Sequence, residues 1–311
     1  MTSYTVIGAG AVGLLYGARL AEAGHRVRWV VRTGLDDIRR DGIQVRSPDG
    51  DIDLAPADVE SYGEPRDVPP SDVVIVALKT TANDRLESLV APAVADGATI
   101  AMFQNGLGVE ERMQRAAPNA GSIIGAMCFV CAHRRRPGVV DHLDYGAVTV
   151  GQLGVDSMAA MAMVHDLEGA GGEATVVDDL GVARWRKLVW NIPFNGLSVV
   201  LDAPTDALLS TAASRRLVSD LMDEVIAGAR SAGHDVPAVF RDEMLATTDA
   251  MTPYAPSMKL DHDAGRSMEL EAIYDAPLAA AADGSMPRVA ALRDQLRFVE
   301  ARSRVSSGGH G

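Results

Sequence analysis

The feature that most constrains the fold is a glycine-rich run near the start of the chain, Gly8-Ala9-Gly10-Ala11-Val12-Gly13. It follows the apolar stretch Tyr4–Ile7 and opens an amphipathic helical segment that ends near Gly24. Glycines at this spacing permit a tight turn, let the backbone approach a pyrophosphate and let the helix pack closely on the strand. The helix N-terminus offers N–H groups to the same anion. The run therefore predicts a dinucleotide-binding βαβ unit, with a plain glycine turn as the alternative.

The hydrophobic pattern divides the chain into two parts. Up to about Val177, short apolar runs alternate with longer helix-like stretches, as in a mainly parallel α/β sheet. After Asp178 the strand-like runs stop and helical segments follow. We therefore expect an α/β fold with an N-terminal Rossmann-type doubly wound sheet, residues 1–178, followed by an all-helical C-terminal domain for substrate and catalysis, residues 179–302. Residues 303–311, mostly Ser, Gly and Arg, are expected to form a disordered tail.

The strands themselves can be predicted from the apolar runs. They are Tyr4–Ile7, Val27–Val31, Val73–Ala77, Thr99–Met102, Ile123–Val130, Ala147–Gln152 and Glu173–Val177. A turn signal, Ser47-Pro48-Asp49-Gly50, separates Ile43–Arg46 from Ile52–Leu54 and predicts a small hairpin.

Charge and composition exclude several classes of function. The 311 residues include 42 acidic and 29 basic side chains, and the net charge of −13 repels nucleic acid phosphates and anionic lipid surfaces. No apolar run approaches the ~20 residues that a membrane span needs, and no basic-then-apolar leader opens the sequence. The chain has 2 cysteines, too few for a disulfide framework. We expect a cytoplasmic protein with a small-molecule substrate that binds neither nucleic acid nor membrane.

The end of the second predicted strand bears on the choice of dinucleotide. An acidic residue there would hold the ribose 2′-hydroxyl of NAD. Here the strand Val27–Val31 is followed by Arg32, whose guanidinium suits a 2′-phosphate. Asp36 and Asp37 lie close behind, and a solvated loop charge is the alternative interpretation of Arg32. The sequence favours NADP(H).

A polar stripe marks one helix of the C-terminal part. Lys187, Asn191 and Asn195 are four residues apart, so they line one helical face over ~12 Å within an otherwise apolar segment. Asparagine has a low helix propensity, so we expect two asparagines on one helical face to form hydrogen bonds with specific partners. A lysine protonated at neutral pH can donate a proton to an alkoxide formed when a carbonyl is reduced. The alternative is a lysine that lies along the helix, with both amides bonded to backbone. Pro193 predicts a kink in this helix.

Two local signals have structural interpretations. Cys128 and Cys131 have the spacing of a metal or redox site but lie in an apolar predicted strand, so we expect buried thiols and no metal. His133 and His142 are the residues that could supply further metal ligands, and we expect both on the surface. The run His133-Arg134-Arg135-Arg136-Pro137 is expected to be a loop or a subunit contact.

Two helical segments carry expectations about packing. Met158, Met161 and Met163 are expected to pack a helix against the sheet. Ser214–Gly233 has enough apolar positions to make a homodimer possible.

The motifs together resemble the ketopantoate reductase (2-dehydropantoate 2-reductase) family, and the resemblance covers nearly the whole chain. They are the glycine run, Val76-Ala77-Leu78-Lys79, Gln104-Asn105-Gly106-Leu107-Gly108, Lys187-x3-Asn191-x3-Asn195, Pro256-Ser257-Met258-x2-Asp261 and Glu269. The resemblance implies an NADPH-binding Rossmann domain and a helical domain. It also implies the reduction of ketopantoate to (R)-pantoate on the route to pantothenate and coenzyme A.

The resemblance implies roles for individual residues around the substrate. Lys187 resembles the general acid, and Asn191 and Asn195 resemble the amides that hold the hydroxyl and carboxylate end. Ser257 resembles the serine that binds the carboxylate, with a helix N-cap as its alternative role. Glu269 resembles the acid that receives the substrate hydroxyl, with a solvated surface carboxylate as the alternative.

The resemblance likewise implies contacts with the cofactor. Gly8, Ala9, Gly10, Ala11, Val12 and Gly13 resemble the pyrophosphate loop. Lys79 and Arg32 resemble the contacts near the phosphate and adenosine end, and Asn105 resembles the residue beside the nicotinamide and the substrate.

Three positions depart from the family pattern. Tyr274 and Asp275 stand where small residues are usual, and Arg288 stands where asparagine is common. Because Tyr274 and Asp275 are near the substrate helix, a reductase of a different 2-oxo acid is an alternative. A non-catalytic NADP(H)-binding sensor is an alternative from another class of protein.

Overall fold

The computed structural model describes the backbone of residues 1–308 and the side chains up to Ser303. The chain forms two compact units. The sheet unit comprises Met1–Gln104 and Val109–Leu180, and the helical unit comprises Asn105–Gly108 and the chain from Gly181 on. The break at Leu180 lies two residues after the boundary expected from the sequence. The sequence did not predict that Asn105–Gly108, which lie between two parts of the sheet unit in sequence, belong to the helical unit.

The sheet unit is built on one sheet, which has ten strands among the described residues. They are β1 Ser3–Ile7, β2 Arg26–Val30, β3 Ile43–Arg46, β4 Ile52–Leu54, β5 Glu60–Tyr62, β6 Ser71–Val76, β7 Val94–Met102, β8 Ser122–Arg136, β9 Val139–Gln152 and β10 Ala174–Val177. Their spatial order is β4-β3-β9-β8-β7-β6-β1-β2-β5, with β10 beside β9. The run from β8 to β5 is parallel, whereas β8 with β9 and β3 with β4 are antiparallel.

Five α-helices cover this sheet among the described residues. They are α1 Ala11–Glu22, α2 Leu35–Asp41, α3 Leu86–Val90, α4 Val109–Ala116 and α5 Met158–Gly169. Helix α1 buries Leu14, Leu15 and Ala18 in the sheet core with Trp29 and Ile75. Burial of such a continuous apolar face is what holds a parallel sheet of this kind together.

The helical unit confirms the all-helical expectation for the C-terminal part. Its helices are α6 Leu180–Val200, α7 Thr205–Leu209, α8 Ala212–Ser231, α9 Val239–Ala250, α10 Ser257–Asp263, α11 Ala276–Ala280 and α12 Pro287–Gly308, with a π-helical turn at Glu271–Asp275. Helix α6 continues through Pro193 without a break. None of the helices among the described residues is both long and apolar enough to span a membrane.

Several expectations about individual segments differ from the structure. Strand β5 was missed because it is 3 residues long with half-buried side chains. Strands β8 and β9 extend beyond the predicted apolar runs, so His133–Arg136 is strand and not loop. Pairing across the ribbon compensates for its polar composition: Arg135 and His133 both contact the Asp141 carboxylate, at 2.7 and 3.2 Å.

Two expectations about packing are wrong. Met163 is buried against the sheet, but Met158 and Met161 are 74% and 58% exposed because they lie on the outer face of α5. His142 is buried and not on the surface, since its ring contacts the Ser47 hydroxyl at 2.8 Å and the Tyr145 carbonyl at 2.6 Å. Cys131 is buried, while Cys128 is only partly so.

The last helix also differs from the expectation. Helix α12 runs to Gly308, where a disordered tail had been expected from residue 303. The Ser303 hydroxyl donates to the Val299 carbonyl at 3.1 Å, one turn earlier, so the serine extends the helix. The remaining residues of the expected tail, 309–311, lie outside the described residues.

Candidate active site

The glycine run forms the turn between β1 and α1, and its three glycines have different reasons to be glycine. Gly8 has φ +113°, and a Cβ there would lie 2.7 Å from the Ala77 carbonyl oxygen. A Cβ on Gly13 would overlap the Gly8 carbonyl oxygen. By contrast, no atom lies within 4 Å of where a Cβ on Gly10 would be. The strand and helix are therefore packed as tightly as the pattern predicts, with open space left at Gly10.

The open space lies at the N-terminus of α1, which can bind an anion. Gly10 is the N-cap of α1, no side chain caps the helix, and its first turn contains no acidic residue. The N–H groups of Ala11, Val12 and Gly13 have no acceptor within the helix, because the first N–H groups of any α-helix lack one. The helix dipole adds a partial positive charge at this end. These features fit the pyrophosphate of a dinucleotide.

The residues assigned to the far end of the cofactor lie on either side of this loop. Strands β6, β1 and β2 are adjacent and parallel, so their carboxyl ends share one edge. Lys79 follows β6 and Arg32 follows β2, and both side chains are exposed. Asp37, the nearby carboxylate that could argue for NAD, instead pairs with Arg40 at 2.9 Å. This edge of the sheet thus carries two exposed basic side chains, after the strands on either side of β1.

In the helical unit, α6 carries the polar stripe. Asn191 and Asn195 are 3% and 2% exposed, and Lys187 is half-buried with its Nζ 5.6 Å from the Trp190 ring centroid. Asn191 Nδ2 donates to Oδ1 of Asn105 at 3.3 Å. Asn195 Oδ1 is buried and has no hydrogen-bond partner among the described residues. The alternative in which both amides bond to backbone is therefore wrong.

The segment that supplies Asn105 is fixed to the π-helical turn. Leu107 N–H donates to the Ala272 carbonyl at 2.9 Å. Gly106 has φ +100°, and a Cβ there would lie 2.5 Å from Ala272 Cβ. Any side chain at Gly106 would push the segment away, so the glycine of this motif sets the position of Asn105 beside Asn191.

Ser257 and Glu269 lie on separate elements of the helical unit. Ser257 is half-buried and is the first residue of α10, whose N-cap is Pro256, so its alternative role as N-cap is wrong. Glu269 is 4% exposed, which contradicts its interpretation as a solvated surface carboxylate. Burial of a carboxylate is costly unless it is hydrogen-bonded, and Glu269 does interact with other groups of the chain.

The two departures near this helix have structural explanations. Tyr274 is fully buried and its hydroxyl donates to the Ile192 carbonyl at 2.8 Å. A Cβ on Gly196 would lie 2.5 Å from its Oη, so this glycine makes room for the Tyr274 side chain. Asp275 pairs with Arg297 and Arg293, at 2.8 and 3.5 Å. Both side chains are thus engaged in contacts within the helical unit.

Two residues that hold the loops of the sheet unit were not assigned a role from the sequence. Gln104 Nε2 donates to the Leu78 carbonyl at 3.0 Å and to Asn83 at 2.8 Å, which orders the backbone next to Lys79. Arg134 donates to the Ala9 carbonyl in the glycine loop. The sequence could have indicated Gln104 through its place at the start of the motif Gln104-Asn105-Gly106-Leu107-Gly108. It could have indicated Arg134 through the basic run that contains it.

A Rossmann-type sheet with a glycine-rich loop after its first strand, together with a helix that presents a lysine and two buried amides, is the arrangement expected of a dinucleotide-dependent oxidoreductase. The models of the ketopantoate reductase PanE/ApbA family and of its C-terminal domain match residues 4–154 and 179–300. The chain belongs to the ketopantoate reductase family, a family of NADP-dependent oxidoreductases.

Individual relatives agree over the whole length. A 2-dehydropantoate 2-reductase of a Nostoc species is 41% identical over 310 residues, which cover 97% of this chain and 96% of the relative. The crystal structure of 2-dehydropantoate 2-reductase from Geobacter metallireducens superposes with a TM-score of 0.90 at 40% identity, covering 95% of this chain and 99% of that one. D-mandelate dehydrogenase with NADH and anilino(oxo)acetate has the same fold, with a TM-score of 0.84 at 20% identity over 97% of this chain and 99% of that one.

Proposed function

We propose that the chain reduces ketopantoate to (R)-pantoate with NADPH, in the pathway to pantothenate and coenzyme A. The observation that carries the proposal is the stripe of α6, where buried Asn191 and Asn195 accompany half-buried Lys187. The identity of 41% with a 2-dehydropantoate 2-reductase along nearly the whole chain supports this substrate.

The proton needed for the reduction comes from Lys187. NADPH, when bound, supplies a hydride to the keto carbon of the substrate. The Lys187 ammonium hydrogen-bonds the carbonyl oxygen, stabilises the negative charge that develops there and donates the proton.

Asn195 recognises a hydrogen-bond donor on the substrate. Its Oδ1 is a buried acceptor without a partner among the described residues, and such an atom costs free energy unless a ligand supplies a donor. The hydroxyl of ketopantoate is a suitable donor, whereas a carboxylate is not. Asn191 is held by Asn105, so its amide is oriented before the substrate arrives.

Ser257 and Glu269 complete the recognition of the acid. The Ser257 hydroxyl donates to the substrate carboxylate. The Glu269 carboxylate is the alternative acceptor for the one O–H of the substrate, and its burial makes a hydrogen bond to it stronger than it would be in water.

On the cofactor side, different residues at the sheet edge bind different parts of the dinucleotide. The loop from Gly8 to Gly13 and the N-terminus of α1 bind the pyrophosphate. Arg32 binds the 2′-phosphate, Lys79 contributes a second charge, and Asn105 lies beside the nicotinamide. The cytoplasmic location and a homodimer stay predictions; a ketopantoate reductase of Staphylococcus aureus with this fold, 19% identical, is dimeric.

The test is NADPH oxidation with ketopantoate, 3-methyl-2-oxobutanoate, which lacks the hydroxyl, and phenylglyoxylate. We expect the highest kcat/KM with ketopantoate and a loss of ~10²–10⁴-fold in Lys187→Ala. Lys259→Ala, on a lysine that pairs with Asp202 at 2.8 Å, is the control and keeps the activity. A preference for another acid overturns the substrate, and turnover that survives Lys187→Ala overturns the mechanism. Binding of NADPH without turnover of any acid would favour the sensor.

A further inference from the structure

The ribbon formed by β8 and β9 carries the basic run that had no assigned function. Two of its arginines are paired with carboxylates of the sheet unit: Arg135 contacts Asp141 at 2.7 Å, and Arg136 contacts Asp41 at 3.2 Å. These pairs are on or near the surface, where they contribute little to stability.

Arg134 makes a contact that reaches the glycine loop. Its Nη1 donates to the Ala9 carbonyl at 3.0 Å, although the two residues are 125 positions apart. Ala9 lies between Gly8 and Gly10, in the turn that precedes α1. The guanidinium of Arg134 therefore lies against the loop that binds the pyrophosphate.

The same ribbon also touches the loop after β2. A Cβ on Gly34, which has φ +82°, would overlap the ring of Pro137, so the Gly34 backbone is in close contact with that ring. Gly34 is two residues from Arg32. The turn of the ribbon thus packs against the loop of Arg32, while Arg134 reaches the glycine loop. All of these contacts lie within the sheet unit.

Electrostatics explain what Arg134 can do there. A carbonyl oxygen in a phosphate-binding loop is itself repulsive to an anion, and a guanidinium that binds it neutralises that repulsion. A guanidinium has five N–H donors in a planar fork that suits phosphate oxygens. The chain has a net charge of −13, so a multiply anionic cofactor gains from local positive charge at its site.

We propose that Arg134 is a cofactor-positioning residue, which holds the Ala9 carbonyl in place and supplies positive charge to the pyrophosphate subsite. The inference rests on the proposed use of a nicotinamide dinucleotide. It separates the two arginines by function: Arg134 serves the pyrophosphate, which NADPH and NADH share, and Arg32 serves the 2′-phosphate, which only NADPH has.

The test measures the Kd of NADPH and of NADH for the wild type, Arg134→Ala, Arg32→Ala and the control Arg135→Ala. Arg134→Ala should weaken both cofactors alike, by about tenfold, as expected for loss of a charge-assisted contact. Arg32→Ala should weaken NADPH alone, and Arg135→Ala should leave both affinities within about twofold because its partner is Asp141. In steady-state assays, Arg134→Ala should raise the KM for NADPH with little change in kcat at saturation.

Further readouts separate charge from mere support of the loop. Salt screens exposed charges over ~10 Å at 0.1 M, so the difference in affinity between wild type and Arg134→Ala should shrink as salt is raised. Arg134→Lys should recover more affinity than Arg134→Gln, which can still donate a hydrogen bond but has no charge. Binding of 2′-AMP, which has no pyrophosphate, should not change in Arg134→Ala.

The inference is overturned if Arg134→Ala binds both cofactors like the control, or if its loss is confined to NADPH. A loss that is independent of salt and fully recovered by glutamine also overturns it, because the residue would then only support the loop. Failure of the wild type to bind either cofactor would instead overturn the proposed function, and the inference with it. Because the Arg134 side chain is exposed, the variants should fold, and circular dichroism checks this.

Discussion

Asn191 donates a hydrogen bond to Asn105 across 3.3 Å, and so joins the helix that carries Lys187 to the short segment Asn105–Gly108. The two residues are 86 positions apart in sequence. The contact orients the side-chain amide of Asn191. Among the described residues, the Oδ1 of Asn195 has no such partner. It makes the geometry of the site depend on a residue outside α6.

Asn105→Ala removes the acceptor of Asn191. We expect kcat/KM for ketopantoate to fall by about 10–100-fold, since small displacements of positioning groups cost this much. The measurement is steady-state kinetics with thermal unfolding alongside. Asn119→Ala, at an exposed asparagine, is the control and should match the wild type. Unchanged kinetics in Asn105→Ala would show that the contact is not needed.

Gly10→Ala and Gly13→Ala test the two roles of the glycine loop. A methyl group at Gly10 meets no protein atom, and its φ of −85° is ordinary, so the variant should unfold at the wild-type temperature. The methyl group occupies the space that fits a pyrophosphate, so NADPH affinity should fall by at least about tenfold. Gly13→Ala should instead destabilise the fold, because its Cβ overlaps the Gly8 carbonyl. Wild-type NADPH affinity in Gly10→Ala would place the cofactor elsewhere.

Tyr274→Phe removes the hydrogen bond to the Ile192 carbonyl. The expected cost is about 1 kcal/mol of unfolding free energy, as for a typical intramolecular hydrogen bond. Substrate preference should not change, because the hydroxyl is bound to backbone and not to substrate. Chemical denaturation measures the unfolding free energy, and assays with the same panel of 2-oxo acids measure the substrate preference. Tyr62→Phe is the control. A shift in preference toward another acid would restore Tyr274 as a specificity residue.

Alkaline pH provides a second test of the same side chain. Burial raises the pKa of Tyr274 in the folded protein well above the ordinary value of ~10. The unfolded chain therefore loses this proton first as the pH rises, and stability that is complete below about pH 10 is lost above it. The slope should be up to ~1.4 kcal/mol per pH unit for one group. Denaturation between pH 9 and about pH 11 should show a smaller slope in Tyr274→Phe than in wild type; equal slopes would contradict the assignment.

Glu224 on α8 caps the N-terminus of α12. Its carboxylate accepts hydrogen bonds from the N–H groups of Arg288 and Val289, at 2.7 and 3.1 Å. Glu224→Ala leaves these donors without their acceptor and should cost about 1–3 kcal/mol. Thermal unfolding measures it, and Glu243→Ala, at an exposed position of α9, is the control. Equal melting temperatures for the two variants would refute the cap.

The sequence predicts those parts of the site that depend on local spacing. Gly8, Gly10 and Gly13 lie within one turn, and the stripe on α6 follows from the helical period, so neither needs knowledge of distant contacts. The contact of Asn191 with Asn105 could not be predicted, because it depends on how distant segments pack. The role of Tyr274 was obscured for the same reason, since its acceptor is a backbone carbonyl that no residue type reveals.

Predictions of burial from residue type were least reliable for polar residues that are buried and for apolar residues that are exposed. The run from His133 to Arg136 looked like a loop because it is basic, yet strands at the end of a ribbon can be polar on both faces. His142 and Glu269 are buried, which their residue types alone argue against. Met158 and Met161 are exposed for the opposite reason: a helix that covers a sheet has an outer face, and apolar residues occur there too.

The membership of Asn105–Gly108 in the helical unit limits how the protein can be divided. The chain passes from one unit to the other after Gln104, returns at Val109, and leaves again after Leu180. A fragment cut at residue 180 would carry the Asn105 segment without Ala272, to which Leu107 is bonded. Mixing the two fragments would then have to restore the contacts of these four residues with the helical unit. Fragment complementation and domain exchange between family members are therefore poor routes to new substrates, and changes within α6 and its neighbours are better ones.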